Sequence, residues 1–329
     1  MAAEAQPATL HPSAVAVLCN PAAGRVGKDL ERIRQHGRRL AGERYREAVT
    51  PAEVAGALHS LDPKHLLVVV GGDGTLQAAL SHIYPGPWPA VLPIPGGTTN
   101  MSARDLGLRG SPGALLESLA RQLEANRGVS VRARPVLCLE RPGTAPVVGL
   151  FLGAGAIAAG VNYFRERVRG RLGVTGEKAS ALAVLRVLLP LLSGRGHGRR
   201  APLSARLVLD SVQVHEGEQF LILVTALDRL LFGARPYWGQ GPGGLRCTVV
   251  AHPPRRLLRS LPALLRGHPG RRLLPEHGYR SWNLNHLELE LDGPMVVDGE
   301  LYPAPEHGGA LQIRAAGPVP FAGLGHAGS

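Results

Sequence analysis

Aromatic residues are scarce, at 4% of a 329-residue chain: five Phe, six Tyr and three Trp. Proteins that hold single-stranded nucleic acid stack bases on such rings, so this class is poorly supported despite a formal net charge of +12. Cysteine is nearly absent. Cys19, Cys138 and Cys247 are odd in number, far apart and without CxxC or histidine-rich spacing, which argues against a disulfide framework and against structural zinc. The expectation is a reduced, cytoplasmic chain. Long apolar runs are also missing: the longest uncharged one, Val147 to Val161, falls short of the roughly 20 residues that a bilayer span needs. Leu182 to Leu192 is shorter still and contains Arg186 and Pro190. The first thirteen residues have neither a basic nor an apolar segment of the secretory kind, so no secretory signal is expected.

What is present is a globular composition, 44% apolar and 19% charged, with length for about two domains of roughly 150 residues each. Only three of the 37 basic side chains are lysines. The positive charge is regional, with a net +3 up to residue 132 and +9 after it. The grammar changes at the same place. Before it, wholly apolar runs (Ala14–Leu18, Leu66–Val70, Val91–Ile94) alternate with helical stretches around Leu30–Gly42 and Leu76–Ile83, which predicts parallel strands covered on both faces. After it come short strands at Val136–Leu139, Val147–Leu152, Ser204–Leu209, Phe220–Thr225, Leu245–Ala251, Leu287–Leu291 and Leu311–Arg314, separated by Gly and Pro turns. Two basic helical insertions, Lys178–Leu192 and Arg255–Leu265, interrupt them. The predicted fold is α/β plus β. A three-layer α/β domain over 10–132 precedes a β-sandwich-type domain over 133–329, whose last strand returns to the first domain.

The strongest motif is Val70-Gly71-Gly72-Asp73-Gly74-Thr75-Leu76-Gln77, a buried strand entering a glycine turn and then a helix. Exposed backbone N–H groups at such a turn, with the helix N-terminus behind them, attract anions. An Asp inside that cradle suits a divalent cation bridging it to phosphate, so Asp73 is the candidate metal-side carboxylate. Asn20-Pro21-Ala22-Ala23-Gly24 and Pro95-Gly96-Gly97-Thr98-Thr99-Asn100 follow two other apolar strands. In a parallel sheet all three loops leave the carboxyl edge, where ligands bind. Gly24 to Asp29 is too short for a P-loop, and the fingerprint-like Gly153-Ala154-Gly155 has no βαβ unit around it.

Asn-Pro-x-x-Gly, Gly-Gly-Asp-Gly-Thr, Pro-x-Gly-Thr-x-Asn followed by Ala103-Arg104, and the late Asp298-Gly299-Glu300 occur in an order that resembles the diacylglycerol kinase catalytic family. That family includes bacterial lipid kinases, sphingosine kinases and ceramide kinases, and is similar in fold to NAD kinases. The resemblance runs from about Ala14 to Arg314. It implies a Rossmann-like first domain, a β-sandwich second domain, a nucleotide between them, ATP as phosphoryl donor and Mg²⁺. It further implies that Gly71, Gly72, Asp73, Gly74, Thr75, Leu76 and Gln77 form the nucleotide loop, that Thr98 contacts phosphates and that Asn20 orients the nucleotide. Thr50 falls where the family often has a Thr near the nucleotide. Glu300 matches the family's proton acceptor, and a hydroxyl attacking the γ-phosphoryl group needs a carboxylate to take its proton. Asp73 competes for that role.

Two departures stand out. Met101 replaces an acid common after the family's Asn, with Asp105 one turn on as a surface or capping residue or a substitute acid. The family's later Asp-Gly-Leu-Leu-Asp reads Gly243-Gly244-Leu245-Arg246, so no structural metal is expected there. Nine basic side chains against two acidic between Arg165 and Arg200, and arginines among leucines in Arg255-Arg256-Leu257-Leu258-Arg259, fit an interfacial helix on an anionic membrane. An amphipathic helix packed on the β domain fits equally. The functional expectation is an ATP-dependent lipid kinase acting on diacylglycerol, ceramide or a related lipid alcohol, peripherally bound to the inner face of a membrane. An NAD kinase-like activity is the alternative, and a nucleic-acid-binding module the alternative of a different class.

Overall fold

The computed structural model describes residues 8–167, 202–304 and 309–324. The expected Lys178–Leu192 helix and nearly all of the 165–200 basic stretch lie outside the described residues. Contacts divide the chain into two units, Met1–Pro135 with Gly317–Ser329, and Val136–Ala316.

In the first unit four parallel strands lie in the order β3 (Tyr45–Glu47), β2 (Val15–Cys19), β4 (Leu66–Gly71), β5 (Ala90–Pro95). Every residue of β2, β4 and β5 is buried, as strands covered on both faces must be. Phe321, in β16 (Leu311–Gly323), pairs in parallel with Val91 of β5, and β1 (Ala8–Leu10) runs antiparallel to the start of β6 (Val129–Glu140). The helices are α1 (Leu30–Ala41), α2 (Pro51–Leu58), α3 (Asp73–Ile83), α4 (Met101–Asp105) and α5 (Pro112–Glu124). Helix α1 packs with α5, and α2 with α3.

Helix α1 shows how a polar, arginine-rich segment is still placed. It buries only Ile33, Gly37 and Ala41, at four-residue spacing, so a single stripe faces the sheet. Gly37 is needed there because a Cβ would come within 2.6 Å of the Tyr45 ring. Its outer face pairs Arg32 with Glu117 and Arg39 with Glu124. Exposed pairs of this kind contribute about 0–1 kcal/mol each, so apolar burial decides the packing.

The second unit is antiparallel. Its strands are β7 (Val147–Gly149), β8 (Phe151–Gly155), β9 (Leu203–Leu209), β10 (Gln213–Thr225), β11 (Leu245–Ala251), β12 (Tyr279–Leu284), β13 (His286–Leu291), β14 (Met295–Val297) and β15 (Glu300–Tyr302). Strands β9 and β13 alternate buried with more exposed residues, the period-2 signature of a sheet with one covered face. Strand β10 pairs with β9 through its first half and lies between β8 and β11 through its second. Helix α6 (Ala156–Arg167) follows β8 directly, but β8 is antiparallel to both neighbours, so no dinucleotide-type βαβ unit forms.

Helix α7 (Leu257–Arg266) divides its leucines between two surroundings. Leu257 and Leu264 are buried and Leu261 is partly so, against Val250, Leu273 and Tyr279, while Leu258 and Leu265 remain 55% and 45% exposed. Packing on the β unit and an outward apolar stripe therefore coexist on one helix. No helix among the described residues is long and apolar enough to cross a membrane.

Candidate active site

The loops after β2, β4 and β5 converge at the carboxyl edge of the first sheet. Because the chain leaves β2 for β3 on one side and returns to β4 on the other, the strand order reverses here, which is where open α/β sheets bind ligands. Asn20 spans the reversal: its side-chain amide donates to Thr75 Oγ1 at 3.0 Å and its backbone N–H to the Val70 carbonyl at 2.9 Å. Arg25 N donates to the Gly96 carbonyl at 2.8 Å, and a Cβ on Gly24 would lie 3.5 Å from Thr98 Oγ1, so the first and third loops also touch. Thr98 is exposed at the tip.

The glycines serve close approach of backbone to backbone. A Cβ on Gly97 would stand 2.5 Å from Gly72 Cα, one on Gly96 3.1 Å from Gly71 Cα, and one on Gly71 2.7 Å from the Thr75 side chain. Asn100 locks the third loop. It sits at φ 50°, a left-handed conformation that Asn tolerates, and its buried amide accepts from Gly97 N and donates to Gly97 O, both at 2.7 Å. The motif contained this residue, but its role as a clamp on Gly97 was not legible without the turn.

Asp73 is 6% exposed and accepts four hydrogen bonds. Thr99 Oγ1 and Met101 N donate to Oδ2 at 2.9 and 3.1 Å, and Ser102 Oγ and N to Oδ1 at 2.9 and 3.1 Å. The carboxylate thus ties the second loop to the third and caps α4, with its lone pairs occupied. Expected on the metal side, Asp73 does not fit a protein-held cation in this arrangement. Among the described residues no group of three or more His, Cys, Asp or Glu could hold one. Asp105 differs from expectation too: its side chain is 1% exposed and pairs with Arg134 at 2.7 Å, so it is a buried ion-pair partner rather than a surface or capping residue.

Leu76 and Gln77 are buried in α3, with the Leu76 N–H donating to the Gly72 carbonyl at 3.2 Å. Thr50 lies beyond β3 at the same sheet edge, and its hydroxyl belongs to a capping box. Glu53 N donates to Thr50 Oγ1 at 3.3 Å, and Glu53 Oε2 accepts from Thr50 N at 3.1 Å. The sequence signal was the spacing Thr50-Pro51-Ala52-Glu53. Cys19, the residue before Asn20, is fully buried, and burial pushes its thiol up to about 11.

Three arginines surround this edge. Arg25 Nη2 donates to the Gly110 carbonyl at 3.2 Å, beside Arg109, and Arg104 lies on the helix that Asp73 caps. Burial lowers the Arg104 pKa, the positive charges of Arg25 and Arg109 lower it further, and Asp73 opposes them.

In the second unit Asp298 and Gly299 occupy the two left-handed positions, φ 47° and 91°, of a hairpin turn that pairs Val297 with Glu300. Asp298 is buried, accepts from Leu150 N at 2.9 Å and donates its own N–H to the Phe151 carbonyl at 3.0 Å. Glu300 is exposed at the start of β15.

Residues 14–130 match the model of the diacylglycerol kinase catalytic domain. No curated protein matches the chain. Among solved structures, a diacylglycerol kinase from Bacillus anthracis str. Sterne is 17% identical over 95% of this chain and 97% of that one, with a TM-score of 0.58. A second structure from that organism, of a proposed diacylglycerol kinase, is 18% identical over 95% and 96%, at 0.59. An NAD kinase from Archaeoglobus fulgidus, solved with ATP, aligns more loosely at 14% identity over 94% and 93%, with a TM-score of 0.48. The B. anthracis structures establish a shared fold. The match over residues 14–130 supports a phosphotransferase with an alcohol acceptor, of the lipid-kinase kind.

Proposed function

We propose that the chain transfers the γ-phosphoryl group of ATP, delivered as its magnesium complex, to the hydroxyl of a long-chain lipid of the diacylglycerol or ceramide kind. The observation that carries this reading is the convergence of the Asn20, Gly71–Thr75 and Gly96–Asn100 loops at one sheet edge, held by Asn20 and Asp73. Gly71, Gly72, Gly74, Thr75 and Thr98 present backbone and hydroxyl donors to the phosphates, with Asn20 and Thr50 flanking the nucleotide. The lipid hydroxyl oxygen bonds to the γ-phosphorus, the bond from that phosphorus to the β,γ-bridging oxygen breaks, and ADP leaves. Glu300, exposed on its hairpin, accepts the hydroxyl proton. Asp73 acts as a positioning residue, and the magnesium belongs to the substrate.

An assay with γ-labelled ATP and magnesium across diacylglycerol, ceramide, sphingosine, monoacylglycerol and NAD is expected to label a lipid. Label appearing only in NAD would favour the dinucleotide reading. A salt-sensitive gel shift with no transfer at all would overturn both.

The acceptor is met at an anionic membrane surface. Arg255, Arg256 and Arg259 are exposed beside Leu258 and Leu265, and the helix has no acid in its first turn. Each such cation contributes about 1 kcal/mol near anionic lipid. Reversing all three to Glu is expected to weaken sedimentation with phosphatidylserine-containing vesicles on the order of a hundredfold, with ATP binding unchanged. Equal vesicle binding by the variant would remove this surface.

A further inference from the structure

We propose that Arg25, Arg104 and Arg109 form an arginine clamp for the polyphosphate of the nucleotide, the part of the site that holds charge. The inference rests on the reading of the chain as an ATP-dependent kinase and goes beyond its motifs, none of which assigns Arg25 or Arg109.

Three observations bring the arginines together. The backbone of Arg25 is fixed to the third loop through the Gly96 carbonyl, and its guanidinium reaches the Gly110 carbonyl next to Arg109. Arg104 stands on α4, whose first turn is capped by Asp73. Among the charges that bear on Arg104 are those two arginines and the Asp73 carboxylate, so three cations gather at this edge. That carboxylate already accepts from Thr99, Met101 and Ser102. Asp105, the other acid on α4, is paired with Arg134.

Gathering like charges at a partly buried position opposes folding unless a multiply charged anion relieves it. A nucleoside monophosphate has too little charge, whereas a triphosphate offers planar oxygen pairs that guanidinium forks bind two at a time. The clamp also resolves the presence of Asp73 in a phosphate cradle. Its negative charge is turned inward onto α4, and the arginines set the sign of the surface that the phosphates meet.

The test is calorimetric titration of the whole protein, without lipid, using ATP, AMP and inorganic tripolyphosphate. Arg109 is exposed, so Arg109→Gln removes a charge with little effect on folding. It is expected to weaken ATP and tripolyphosphate binding about three- to tenfold and AMP binding hardly at all, with the melting temperature of the ligand-free protein unchanged or raised. The double variant R25Q/R109Q is expected to lose more than tenfold for the same two ligands and to flatten the salt dependence of ATP binding. Arg104→Gln is expected to weaken them further, and Arg104→Lys to rescue only part, since an ammonium cannot replace the fork. If R109Q and R25Q/R109Q bind ATP and tripolyphosphate as tightly as the wild type, or if the wild type binds neither, the clamp is wrong. If no lipid is phosphorylated while these affinities fall as expected, the clamp stands and the lipid acceptor falls.

Discussion

Two Asp-Gly turns in this chain look alike in sequence and differ in what they leave for chemistry. In the first unit Asp73 is buried, and every acceptor position of its carboxylate is taken by Thr99, Met101 and Ser102. In the second, Asp298 is likewise buried and fixes its hairpin to Leu150 and Phe151, but the turn delivers a further carboxylate, Glu300, into solvent. The Asp in each turn builds the loop. Only the second turn is followed by an additional, exposed acid. A conspicuous acidic residue in a glycine loop is therefore weak ground for assigning a base until its hydrogen-bond partners are known.

The largest expected effect is on Glu300. Glu300→Gln keeps the hairpin and its size and removes only the proton acceptor, so kcat is expected to fall by about 10²–10⁴ with ATP affinity unchanged. Next comes Asp73→Asn. An amide retains one acceptor oxygen and turns its NH₂ toward two donors, so a stability loss of roughly 2–4 kcal/mol is expected, read as a lowered melting temperature, together with weaker ATP binding. The glycines contrast the two turns at smaller scale. In Gly97→Ala the new Cβ meets the Gly72 Cα at 2.5 Å, where backbone must move, whereas in Gly149→Ala it meets Asp298 Oδ2, a side-chain atom that shifts by loosening its bond from Leu150 N. Overpacking costs about 1–3 kcal/mol, and chemical denaturation is expected to place Gly97→Ala at the high end and Gly149→Ala at the low end.

The parallel half of the fold was legible because its physics is local. Runs such as Leu66–Val70 have no polar residue to face solvent, and the observed strand extends this one only to Gly71. Strand β3 was not legible, because Tyr45–Glu47 carries two exposed charged residues and owes its place to pairing with β2. Helix α5 was missed although Ser111-Pro112 is a start signal, with Ser111 Oγ accepting from Ala114 N. For α7 the sequence offered two surroundings for the leucines; Leu257 and Leu264 pack on the β unit while Leu258 and Leu265 stay exposed, a division that only packing decides. In the candidate site the three loops were legible from their glycines. What those glycines touch was not: a glycine lets backbone approach closely, and the sequence does not say whether the neighbour is a ligand or another loop.

The most direct test measures ATP affinity and melting temperature for Asp73→Asn and Glu300→Gln side by side, with kcat determined on the same lipid. If Asp73 positions and Glu300 takes the proton, Glu300→Gln binds ATP and melts like the wild type while turnover collapses, and Asp73→Asn loses affinity and stability together. An Asp73→Asn protein that binds ATP normally and melts normally yet does not turn over, beside a Glu300→Gln protein with near-wild-type kcat, would contradict the account.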